Sequence, residues 1–174
     1  SLSKDMEIIY EHGVFPEVLY IFKHALTRDV LYKSILSRKR KEIHHQVARA
    51  IEDLWSDNIE SYYGVLANHF IDGGDYEKGA GYAKLASKNM QRSGSYNEAI
   101  HYALMNVSCL EKFPKSEMIQ LKIAQARTIL GILLIGMNHF KRAEEIVSPI
   151  AEIALKSPDQ KVKALILTVL GSCE

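Results

Sequence analysis

From Leu26 onward the apolar residues fall at the three- and four-residue spacings of helices that hide one face. A short helix over about 27–36 is followed by Ser37, an N-cap residue for the next. That next helix carries Ile43, Val47, Ala50, Ile51 and Leu54 as one stripe. Ile59, Tyr62, Tyr63, Leu66 and Phe70 form the stripe of another, closed by Gly73-Gly74. Tyr96, Ile100, Ala103, Leu104, Val107 and Leu110 mark a further helix that ends before Pro114. The helix from about Ser116 to Ile135 is apolar nearly all round in its second half, the pattern of a helix covered on several sides. The segment 6–22 departs from all this: residues 6–10 and 18–22 are β-branched and aromatic runs joined through Gly13 and Pro16, and they predict a β-hairpin. A lone hairpin is marginal in water, so it is expected to lean on the next two helices.

The boundaries between helices repeat one design. Gly74-Asp75-Tyr76, Gly94-Ser95-Tyr96 and Asn138-His139-Phe140 each place a residue tolerant of positive φ before a capping position and an aromatic, with Ala80, Ala99 or Ala143 close behind. Ser95 with Glu98 reads as a capping box, and Ser157-Pro158-Asp159-Gln160 as another with proline at the first helical position. Such short turns make successive helices antiparallel neighbours. Gly79, Ala80, Ala83 and Ala86 are small enough to let helices approach closely. Leu130-Gly131 recurs as Leu170-Gly171, a spacing of 171 − 131 = 40 residues, within the range of helical solenoids.

Composition narrows the function. The 174 residues are 47% hydrophobic and 25% charged, enough for a packed core. A formal net charge of +1 argues against general affinity for nucleic acid or anionic membrane. The apolar run Ile129 to Met137 is too short to span a bilayer, which needs about 20 residues. Cys109 and Cys173 are far apart and form no CxxC pair, which fits free thiols in a reducing cytoplasm. Neither end has polar capping sequence, and both are expected to be cut from something larger. The expected division is a junction over 1–56 and helical repeats over 57–174.

The leucine-glycine pair, the Gly-Asp-Tyr turn and the alanine after it resemble the tetratricopeptide repeat. Leu66, Ala67 and Phe70 then fall on the first helix of a repeat and Gly74-Asp75-Tyr76, Gly79 and Ala83 on its turn and second helix. Leu130-Gly131, Phe140 and Ala143 make a further repeat, and Leu170-Gly171 starts another. The pattern departs from the family in lacking its tryptophan, in Ala67 and Gly79 standing for the expected glycine and alanine, and in uneven spacing. Tyr20 to Tyr32, with Arg40 and Glu42-Ile43-His44, resembles the junction of bacterial STAND-class signalling ATPases, where a winged-helix-like region ends and repeats begin. Such proteins include adenylate-cyclase-linked regulators, to which the wording here is closest, and LuxR-type transcriptional regulators. The chain has no G-x-x-x-x-G-K-[ST] loop and no cyclase metal motif.

Several residues carry two readings. The resemblance implies that His24, with Arg28 four residues on, senses a nucleotide phosphate in the parent protein; a structural histidine at a strand-to-helix junction is the plainer role. Arg38-Lys39-Arg40-Lys41 fits phosphate binding, or a solvated helix start and interdomain face. Arg40 with His44 fits a clamp on a carboxylate, or side chains reaching past an apolar stripe. Tyr62, Tyr63, Asn68, Asn89 and Arg92 fit the lining of a groove for an extended peptide, or core. His44, His45 and His69 have no companions at metal-ligand spacing. The sequence therefore predicts an all-α fold, antiparallel hairpins stacked as a right-handed TPR-like solenoid behind a small hairpin. The expected function is a non-catalytic, cytoplasmic interaction and regulatory scaffold without metal or cofactor, engaging a protein, a peptide or neighbouring domains. Part of a LuxR-type regulator is the alternative.

Overall fold

A computed structural model describes residues 9–12, 19–156 and 159–172. The fold is all-α apart from one short strand pair. The chain divides into two compact units, 1–40 and 41–174. The break falls inside a helix, so residues 41–56, grouped with the junction by sequence, belong to the second unit.

In the first unit β1 (Ile9–His12) pairs antiparallel with β2 (Leu19–Phe22), Ile9 opposite Phe22 and His12 opposite Leu19. The connection at 13–18, including Gly13 and Pro16, lies outside the described residues. Helix α1 (Ala25–Ser34) starts two residues before the expected Thr27, because His24 is the last residue in extended conformation (φ −133°, ψ 131°). β2 meets α1, but no residue of α1 is buried, and Leu26 is 80% exposed.

Helix α2 (Ser37–Leu54) opens with the Leu36 carbonyl accepting from Arg40 N, so Leu36 and not Ser37 stands before its first residue. Its inward side also differs from the apolar stripe. Ile43, Val47 and Leu54 are exposed, and Ala48 is the buried residue, joined by Ile51 against Leu66 and Phe70. Next comes a 3-10 segment (Ser56–Tyr62), interrupted at Asn58 by non-helical backbone, and then α3 (Tyr63–Gly73). Helices α4 (Tyr76–Arg92), α5 (Tyr96–Leu110) and α6 (Glu117–Gly136) follow. Helix α7 (Phe140–Val147) gives way to a 3-10 turn (Ser148–Ile150) at Pro149, whose missing N–H interrupts the ladder, and α8 (Ala151–Lys156) resumes it. Helix α9 (Gln160–Gly171) is capped by Asp159, which accepts from Lys161 N at 2.9 Å. Ser157 and Pro158 of the expected box lie outside the described residues.

The three repeated turns are one structure. Gly74, Gly94 and Asn138 have φ of 86°, 80° and 61°. In each the next residue's N–H reaches back to the fourth residue before the left-handed one: Asp75 to Phe70 O at 2.8 Å, Ser95 to Met90 O at 2.9 Å, His139 to Leu134 O at 2.8 Å. This is the Schellman closure, and it satisfies carbonyls that a helix end leaves open. Asp75 adds a side-chain cap on Lys78 N at 3.0 Å. Ser95 adds none: its hydroxyl meets Ser93 Oγ at 3.3 Å, and the expected box with Glu98 is not formed.

The main core joins α5 to α9 through Ile100, Val107, Leu130, Leu134, Val147 and Ile166. Gly131 is a point of close approach: a Cβ there would meet Val147 Cγ2 at 2.6 Å. Helix α6 runs the full 20 residues and is long and apolar enough to cross a membrane, so the short run at Ile129 understated it. Here it packs against α5, α7, α8 and α9 and buries Leu130, Leu133 and Leu134 among them.

Candidate functional site

The junction residues are placed by local structure. His24 occupies the N-cap position of α1, exposed, with no side-chain cap bond. Arg28 forks onto its neighbour Asp29, Nε and Nη2 donating to one carboxylate oxygen at 3.0 and 2.8 Å. Arg40 closes the end of α1: Nη1 donates to the carbonyls of Tyr32 and Lys33 at 3.2 and 3.3 Å, and the guanidinium lies 5.3 Å from the Tyr32 ring centroid. A cation on the last carbonyls of a helix complements their partial negative charge.

His44 is placed by residues of α3. Its Nδ1 lies 2.9 Å from His69 Nδ1 and 4.0 Å from Asp72 Oδ2. Two Nδ1 atoms at that separation share one proton, so at least one ring must be unprotonated there. Burial, then the neighbouring His44, hold the His69 imidazole below its ordinary pKa, against an opposing pull from Asp72. His45 meets Asp75 at 3.5 Å and lies edge-on to Phe70. Among the described residues no group of three His, Cys, Asp or Glu side chains is arranged to hold a metal.

Deeper on α2, Glu52 accepts from Lys78 Nζ at 2.7 Å and from the Tyr82 hydroxyl at 2.5 Å. Burial raises the Tyr82 phenol pKa, and the Glu52 carboxylate adds to the rise. For Glu52 itself burial pulls upward, but the bonds from Lys78 and Tyr82 outweigh it and the net shift is down. Tyr82 stacks on Phe70, and Lys78 Nζ sits 4.6 Å from that ring. The network ties α2, α3 and α4 together. Each polar atom in it has a partner, so it serves as structure.

The expected groove residues lie elsewhere. Tyr62 lies tilted against Trp55, Tyr63 lies tilted against Tyr82, Asn89 donates to Glu60 O at 3.2 Å, and Asn68 and Arg92 are exposed. None of them lines a cavity of ≈ 750 Å³ that lies among the later helices. That cavity is formed by alternate helices α4, α6 and α9, with the end of α5 and the following turn at one side. Its apolar surface comes from Leu110, Phe113, Met118, Ile119, Ile129 and Leu165. Met118 is 64% exposed. Ala80, Gly81 and Ala126 keep the walls low. Asn106 is held there by donating to Ala80 O at 2.7 Å, and Arg127 pins the α5 end by donating to Glu111 at 2.6 Å.

Each of the three lining helices contributes one lysine: Lys84, Lys122 and Lys161. All three are exposed, and no ion pair engages any of them among the described residues. Glu77 and Asp159 are the acidic lining residues, and Asp159 already caps α9. The signal was present in the sequence: the lysines are 122 − 84 = 38 and 161 − 122 = 39 residues apart, close to the spacing of the Leu-Gly pair.

No family model, curated protein or solved structure matches this chain.

Proposed function

We propose that this chain is a non-catalytic protein-interaction and regulatory scaffold that docks a partner in the α4–α6–α9 groove. The observation that carries the reading is the groove itself: ≈ 750 Å³ with exposed apolar side chains on a frame of packed helices. That volume lies within the roughly 300–1,000 Å³ of ordinary ligand sites. The lining by alternate helices, the three identical turns and the recurring Leu-Gly pair support antiparallel hairpins stacked as a right-handed, tetratricopeptide-like solenoid. With the Tyr20–Tyr32 and Arg40–His44 resemblance, the scaffold belongs to a cytoplasmic STAND-class signalling ATPase, adenylate-cyclase-linked. In that parent, His24 and Arg28 sit at the junction facing the nucleotide region, and partner binding alters nucleotide state by favouring one of two conformations.

The test is nucleotide turnover by the whole parent protein, with the native repeats, with Gly81→Trp filling the groove, and with 57–174 deleted. Gly81 lines the groove and a Cβ there meets nothing within 4 Å, so a side chain added at this position is expected to occupy the groove. Turnover, or its response to partner, changes in both variants on this reading. Identical turnover in all three proteins overturns it.

A further inference from the structure

We infer that the segment taken by this groove is acidic as well as apolar: a stretch of another protein whose leucine- or phenylalanine-type side chains enter between Met118, Ile119, Ile129 and Leu165 while its carboxylates meet Lys84, Lys122 and Lys161. This rests on the reading of the groove as a docking site and adds the chemistry of its occupant. Charge complementarity decides between an acidic and a basic partner. Three ammonium groups without an ion pair among the described residues, one per lining helix, border the apolar surface, against Glu77 and a capping Asp159. The cations recur at the repeat spacing, so they track an extended occupant from helix to helix.

The two kinds of contact have different weights. Burying one leucine-sized side chain strengthens binding by about tenfold to a hundredfold. One exposed ammonium–carboxylate pair contributes at most about fivefold. The apolar side chains therefore supply most of the affinity, and the carboxylates supply selection against basic partners and a dependence on salt.

Fluorescence anisotropy on the intact chain tests this with a fluorescein-labelled peptide alternating leucine and glutamate. Counterparts carry serine for leucine, glutamine for glutamate, or lysine for glutamate. The leucine–glutamate peptide is expected to bind best. Serine costs about tenfold or more, glutamine costs several-fold, and lysine abolishes binding. Added salt weakens the glutamate peptide alone. Combining Lys84→Ala, Lys122→Ala and Lys161→Ala, all surface changes, equalises the glutamate and glutamine peptides, and Gly81→Trp removes both.

Equal binding of the glutamate and glutamine peptides by the native chain overturns the inference, as does binding that survives Gly81→Trp. So does failure of every peptide to bind, and so does self-association that Gly81→Trp abolishes, which would make the occupant a second copy. A parent protein whose turnover still responds to Gly81→Trp keeps the docking reading while this one falls.

Discussion

Two glycines on the groove helices separate packing from helix propensity. Gly81 and Gly131 both lie inside long helices, α4 and α6, so alanine at either site gains about 1 kcal/mol of helix propensity. They differ in what the new methyl meets. At Gly81 there is nothing within 4 Å. At Gly131 the methyl lands 2.6 Å from Val147 Cγ2 and 3.3 and 3.4 Å from the two Val169 methyls. Val147 and Val169 are fully buried, and β-branching leaves neither an inexpensive rotation out of the way. Overpacking of this kind costs about 1–3 kcal/mol. Gly81→Ala is therefore expected to stabilise by about 1 kcal/mol, and Gly131→Ala to be neutral or to destabilise by up to about 2 kcal/mol. The propensity gain cancels in the difference between the two variants, which isolates the packing cost at about 1–3 kcal/mol. Urea titrations followed by far-ultraviolet circular dichroism measure it as a difference in midpoint at equal slope. For a chain of this length thermal midpoints separate by about 2–4 °C for each kcal/mol. Equal shifts of the two variants in the same direction would refute the close approach of α6 to α7 and α9.

Gly94→Ala puts a Cβ into a left-handed turn and is expected to cost about 1–2 kcal/mol, whereas Asn138→Gly relieves the same strain and stabilises by up to about 1 kcal/mol; chemical denaturation reads both. Because His69 is held below its ordinary pKa of about 6.5, the unfolded chain binds more protons than the folded chain just below that pH. The contribution is whole above the unfolded value and is lost as pH falls through the folded one. Stability should therefore decline on acidification from neutral pH, and His69→Gln should flatten that decline; an unchanged slope would count against the shared-proton pair. Tyr82→Phe removes one bond to Glu52 while Lys78 keeps the other, for an expected loss of about 1 kcal/mol. The Glu52 carboxyl should then titrate higher, as observed by NMR.

The turns were legible because their chemistry is local. A left-handed backbone residue is nearly confined to glycine and asparagine, so Gly74, Gly94 and Asn138 announce the helix ends whatever packs around them. The helical periods and the small residues at close approaches were legible for the same reason, as Gly79 illustrates: a Cβ there would meet Ile71 Cγ1 at 2.6 Å. Local signals do less well where two groups compete for one position. Ser95 has the sequence of a capping box, yet its hydroxyl turns to Ser93.

Tertiary contact alone decided how α2 is turned. By hydropathy Ile43, Val47 and Leu54 should face inward, but His44, Glu52 and Ala48 point toward the body of the second unit. Polar side chains can take an interior face once His69, Lys78 and Tyr82, residues 25 or more positions away in sequence, supply the hydrogen bonds that burial would otherwise leave unmade. The groove follows the same logic. Lys84, Lys122 and Lys161 sit on separate helices, and each alone reads as a solvated surface lysine. Local backbone preference and apolar spacing are properties of neighbouring residues and can be read along the chain. Which polar groups find partners, and which charges gather around one cavity, depends on residues that only folding brings together.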